Sequence, residues 1–118
     1  MKESLPNYLR SYRQKSGLTQ DEIAFLMGGT YGSTITRHEE YVRIPTLETA
    51  FGYAAIYRED PRVLFAGLYE GRLRLVMRRA DTLLAKLPSD RGSQIGGFLQ
   101  GLINDPDSYL VPCDQSEC

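Results

Sequence analysis

Tryptophan is absent from the 118 residues, histidine occurs once and cysteine twice. Each scarcity removes a class of function. Both cysteines, Cys113 and Cys118, fall near the C-terminal end, too few and too terminal for a disulfide framework or a zinc site, so they read as free thiols, and neither metal nor cofactor is expected. With His38 as the lone histidine, there is no His-Glu-x-x-His motif and no cysteine beside a histidine in sequence. Gly28-Gly29-Thr30-Tyr31-Gly32 has a superficial likeness to a phosphate-cradling loop, but it follows a helical pattern rather than a strand, and no Gly-Lys-Ser/Thr completes it. An enzyme is therefore not expected. Apolar runs are only a few residues long, too short to span a bilayer. The opening MKESLPNY lacks the basic-then-apolar order of a signal peptide. These absences predict a soluble cytoplasmic protein with no membrane partner, and the 42% apolar content suits one compact domain with a modest core.

Basic residues are also missing from one end. No lysine or arginine follows Arg91, whereas Asp105, Asp107, Asp114 and Glu117 do. Residues 1–91 therefore carry +3 and residues 92–118 carry −4, which together give the net charge of −1. The local charge is what a partner meets, and the front of the chain is mildly basic.

What the sequence does have is helical spacing almost throughout, with no alternation of strand length, and the fold class expected is all-α. A first helix is predicted over residues 5–15, with Pro6 in its first turn, Leu9 and Tyr12 inward and Gly17 as its stop. Thr19 and Glu22 form a capping box for a second, whose stripe is Ile23, Ala24 and Met27 and which ends at Gly28-Gly29. The third, from Thr30 or Ser33 to about Glu40, is anchored by Ile35 and is otherwise polar. Thr46 caps a fourth through about Tyr57, expected to bury Leu47, Ala50, Phe51 and Ala54. Asp60 and Pro61 open a fifth that buries Val63, Leu64 and Phe65.

Over residues 68–87 a longer helix places Leu73, Val76, Met77, Ala80, Leu83, Leu84 and Leu87 on one stripe, with Arg72, Arg74, Arg78, Arg79 and Lys86 mostly off it. Such a seam either packs against a second copy or folds back on the domain in front. Residues 88–92 read as a linker. Ile95, Phe98, Leu99, Leu102 and Ile103 then repeat at one-sided helical spacing, weakened by Gly96, Gly97 and Gly101, so this segment needs a partner to pack on. Residues 105–118 read as an acidic flexible tail.

The run Leu9-Arg10-x-x-Arg13-x-x-x-Gly17-Leu18-Thr19-Gln20-x-Glu22-Ile23-Ala24-x-x-Met27-Gly28, then Ser33-Thr34-Ile35-Thr36-Arg37-x-Glu39, then Arg43-x-Pro45-Thr46-Leu47-Glu48, resembles the phage-repressor-like helix-turn-helix family, also called the Cro/repressor or XRE family. The resemblance covers residues 5–68. It implies a five-helix, lambda-repressor-like DNA-binding domain (residues 1–68), whose third helix enters the major groove while the second crosses the backbone. Residues 69–104 would be a dimerising helical extension, followed by the tail. On that footing Gln20 is placed to hold a phosphate. Arg37 is placed for a bidentate contact to guanine, Ser33, Thr34 and Thr36 for short hydroxyl contacts, and Arg43 for the DNA backbone. The resemblance also implies a buried ion pair between Arg13 and Glu39. The sequence departs from the family at Tyr41, which stands where a helix-ending glycine is usual and implies another path for the following loop. It departs again at His38, which replaces an apolar or aromatic residue and is expected to be packed or at the surface.

The expected function is a sequence-specific transcriptional regulator, by default a repressor, binding double-stranded DNA as a homodimer. One alternative is an antitoxin that represses its own operon and wraps a toxin with residues 88–118, since an acidic, glycine-containing segment suits ordering on a partner. Another is a protein-interaction module without DNA binding.

Overall fold

The computed structural model describes residues 4–29, 31–87 and 92–106, with residues 92 and 93 described by their backbone alone. It is all-helical, with no strand among the described residues. The helices are α1 (Leu9–Ser16), α2 (Gln20–Leu26), α3 (Gly32–Glu39), α4 (Leu47–Tyr57), α5 (Pro61–Leu64), α6 (Ala66–Lys86) and α7 (Gly92–Asn104). No helix among the described residues is long and apolar enough to cross a membrane. Thr30, most of the 88–92 linker, residues 107–118 of the acidic tail, and Cys113 and Cys118 lie outside the described residues.

Where one compact domain is expected from length, the chain divides into two units, Met1–Glu70 and Gly71–Cys118. The first holds the core. Leu9 of α1, Ile23 and Ala24 of α2, Ile35 of α3, Tyr53 of α4, and Leu64 and Phe65 at the end of α5 are buried together. In the second unit Ala80 is the one buried hydrophobic among the described residues.

Local chemistry sets most of the helix ends. Thr19 N–H donates to Glu22 Oε1 at 2.8 Å and Glu22 N–H to Thr19 Oγ1 at 3.1 Å, so each side chain satisfies a backbone donor that the first turn leaves open. Thr46 accepts from Thr49 N–H at 3.2 Å and Asp60 from Arg62 N–H at 2.8 Å. Gly17 closes α1 in the left-handed conformation, at φ 79°.

Four expectations change. The chain from Leu5 to Tyr8 is not helical, and α1 begins at Leu9, because tertiary bonds claim its backbone groups. Tyr8 N–H donates to the Leu64 carbonyl at 2.8 Å, and the Leu5 carbonyl accepts from Gly67 N–H at 2.9 Å. Buried Asn7 makes the junction: its Oδ1 accepts from Leu9 N–H at 3.0 Å and its Nδ2 donates to the His38 carbonyl at 2.9 Å.

The second change is on α4. Leu47 and Phe51 are exposed, and the inward face is Ala50, Tyr53, Ala54 and Tyr57. Tyr53 stacks with Tyr57 at 6.1 Å and meets Phe65 edge-on at 6.3 Å; these aromatic contacts set the helix's rotation. Third, Val63 of α5 is exposed while Leu64 and Phe65 are buried.

Fourth, the loop after α3 does not avoid the left-handed turn. Tyr41 itself adopts φ 66°. Val42 N–H donates to the Arg37 carbonyl at 2.9 Å and Tyr41 N–H to the His38 carbonyl at 3.3 Å, the paired bonds of a Schellman termination. A side chain in that conformation costs about 1–2 kcal/mol relative to glycine. Tyr41 Oη donates to the Asn7 carbonyl at 3.4 Å.

Candidate nucleic-acid interface

The α2–α3 pair is held from behind by one buried carboxylate. Glu39, at the end of α3, has no side-chain exposure. Arg13 of α1 grips it with both arms of its guanidinium, Nε donating to Oε2 at 2.7 Å and Nη2 to Oε1 at 3.2 Å, while Nη1 donates to the Leu18 carbonyl at 3.2 Å. The carboxylate hydrogen bond holds the Arg13 guanidinium more firmly protonated than usual, against an opposing effect of burial. Arg10 lies farther off, 3.8 Å from Glu39 and 3.7 Å from Glu40.

Gln20 and Thr36 join the same network. Gln20 Nε2 donates to Glu39 Oε1 at 3.1 Å, and Gln20 Oε1 accepts from Thr36 Oγ1 at 2.7 Å. Both ends of the Gln20 amide are thus engaged inside the protein, and Thr36 Oγ1 also lies 3.1 Å from the Gly32 carbonyl. These bonds fix the angle between α2 and α3. Gln20 is half-buried, and its Nε2 keeps a second N–H outside these bonds.

On the other side of α3, Ser33 and Arg37 are exposed and Thr34 is half-buried. Arg43, exposed in the following loop, adds a second cation. Neither Arg37 nor Arg43 has an acidic partner among the described residues. Tyr31, just before α3, is exposed as well. The first turn of α3 has no side-chain cap, but Asp21 sits against it: a Cβ on Gly32 would lie 2.1 Å from Asp21 Oδ1. A carboxylate beside the first turn has the favourable sign for the helix dipole. Arg37 and Arg43 are the exposed cations of α3 and its following loop, and the exposed Ser33 carries a hydroxyl that can donate or accept.

Sequence reasoning missed Asn7, the Gln20–Thr36 bond and the Asp21–Gly32 contact. Only Gly32 signalled any of them, as a small residue at a helix start.

His38 is buried, its Nδ1 2.8 Å from Tyr53 Oη and its ring edge-on to Tyr53 at 5.7 Å. Burial pushes its pKa below the usual histidine value, and the Arg43 charge adds to the shift. The unfolded chain then binds a proton first, below about pH 6.5. Stability is therefore full above that pH and lost as pH falls through it toward the lower folded value. The melting temperature is expected to fall between about pH 7 and pH 5, and His38→Gln should flatten that slope. A slope unchanged in the variant would assign the titration to another group.

Among the described residues, no group of three or more His, Cys, Asp or Glu side chains is placed to hold a metal ion. Compared with known proteins, the chain matches no family model, no curated protein and no solved structure.

Proposed function

We propose that the chain is a helix-turn-helix transcriptional regulator of the phage-repressor-like (Cro/repressor, XRE) kind, in which α1–α5 are the five-helix DNA-binding domain and α3 enters the major groove. The observation that carries this reading is the division of α3 into two faces. Ile35, His38 and Glu39 are buried and bonded behind, whereas Ser33 and Arg37 face outward with Arg43 beyond them. A short helix so firmly held, yet presenting polar side chains, is suited to pressing those groups against base edges.

In this reading Gln20 and Thr36 set the angle of α3. Arg37 makes a bidentate contact to guanine, worth about 1–3 kcal/mol of discrimination, and Ser33 and Thr34 donate to neighbouring bases or phosphates. Arg43 contacts the backbone. Two copies pair through the α6 stripe, where Val76 and Leu83 are exposed, and place two α3 helices in successive major grooves. Binding over a promoter would repress by occlusion.

Selection of sites from a random duplex pool tests this, with wild type and Arg37→Ala compared at one stated salt concentration. The expected wild-type product is a two-fold symmetric motif. In the variant one guanine per half-site should relax by about 1–3 kcal/mol. No enriched motif at low salt would refute the reading and leave a protein-interaction module.

A further inference from the structure

Between α6 and α7 runs an apolar groove of about 410 Å³, lined by Leu75, Val76, Ala80 and Leu83 from α6 and Leu99 and Leu102 from α7. The one charged residue lining it is Arg79. Arg72 and Lys86 stand seven residues before and after Arg79, nearly two full turns each way, and so share its face. All three are exposed. None has an acidic partner among the described residues. Asp81, two positions from Arg79, points to the other side of the helix.

The groove edge is thus apolar and carries a row of three cations with no counter-charge. A second copy brought to the same edge would present the same row. An occupant that is apolar and acidic fits better, and the chain contains one. Residues 107–118 combine Tyr109, Leu110 and Val111 with Asp107, Asp114 and Glu117, and have no lysine or arginine. This stretch follows α7, whose Leu99 and Leu102 line the groove, and Asp105 at the end of that helix starts its acidic run. Twelve extended residues span about 40 Å, more than the roughly 30 Å length of α6.

We propose that residues 107–118 occupy the α6–α7 groove of their own chain, with Tyr109, Leu110 and Val111 against its apolar wall and the acids paired with Arg72, Arg79 and Lys86. The proposal does not depend on DNA reading by α3. Val76 and Leu83 belong both to the groove and to the stripe through which copies would pair, so in the free chain the segment covers that edge, and pairing of two copies displaces it.

The chain's two cysteines both lie in this segment, which allows spin labelling in the full chain. In Cys118→Ser protein carrying a nitroxide on Cys113, the amide signals of Leu75, Val76, Arg79 and Leu83 are expected to lose most of their intensity at low salt. They should recover in about 1 M salt, where the screening length falls to about 3 Å. The broadening should also disappear when Arg72→Gln, Arg79→Gln and Lys86→Gln are combined, with the helical spectrum unchanged as the check on folding. No broadening at low salt, or broadening that survives the three substitutions, overturns the proposal. Broadening seen only between separate labelled and isotope-labelled chains also overturns it, since the occupant would then come from a second copy.

Discussion

Glu39→Ala is expected to destabilise the Met1–Glu70 unit by about 3–5 kcal/mol, the usual cost of removing one partner from a buried ion pair. Most of that cost lies in what the substitution leaves behind. Arg13 keeps only 16% of its side chain exposed, so its guanidinium would stay charged, largely out of water and bonded only to the Leu18 carbonyl. The Gln20 amide would lose its acceptor, and with it one of the two side-chain bonds by which Gln20 ties α2 to α3. Since single domains are stable by only about 5–15 kcal/mol, a large part of the margin would go. Glu39→Gln keeps an acceptor for Arg13 or Gln20 but not the charge, and should fall between wild type and alanine. Urea unfolding monitored by circular dichroism separates the three proteins. A loss below about 1 kcal/mol for Glu39→Ala, the scale of an exposed pair, would show that the network does not hold α3.

Gly67→Ala is expected to destabilise, although alanine replacing glycine inside a helix ordinarily gains about 0.5–1 kcal/mol. At Gly67 an added Cβ would lie 2.4 Å from the Leu5 carbonyl oxygen, 2.7 Å from its carbon and 2.8 Å from the Ser4 carbonyl oxygen. All three are backbone atoms, held by the bond from Gly67 N–H to that same Leu5 carbonyl, so the clash cannot be relieved by rotating a side chain. Forcing the segment away should cost about 1–3 kcal/mol and loosen the neighbouring Tyr8–Leu64 bond. Gly71, one turn later on α6, supplies the control, because a Cβ there meets nothing within 4 Å. Gly71→Ala should raise the melting temperature and Gly67→Ala should lower it, by about 4–8 °C for each kcal/mol in a domain of this size. Shifts of the same sign would mean that helix propensity alone governs both positions.

These two sites also mark where the sequence could and could not be read. The Thr19–Glu22 box, the Thr46 cap and the Asp60-Pro61 start are legible because donor and acceptor lie within three residues of each other. The all-helical character is legible for the same reason, since spacing along one helix is a local property. The α4 face is not legible, because Leu47 and Phe51 are as apolar as any core residue and only tertiary stacking of Tyr53 on Tyr57 and Phe65 sets the helix's rotation. The N-terminal stretch read as helix because Pro6 suits a first turn, but Leu64 and Gly67, some sixty residues away, claim its backbone. The Gln20–Thr36 bond spans sixteen positions, beyond any spacing rule. Arg13 and Glu39 are twenty-six positions apart. Only the family resemblance, not residue spacing, brought them together.

Backbone amide shifts on titration with a duplex carrying the selected motif, at low and stated salt, test the central claim most directly. If α3 reads DNA, the largest changes fall on Ser33, Thr34, Arg37 and the loop at Arg43, and they shrink as salt rises. Changes confined to the basic face of α6, or no change at low salt, would contradict it.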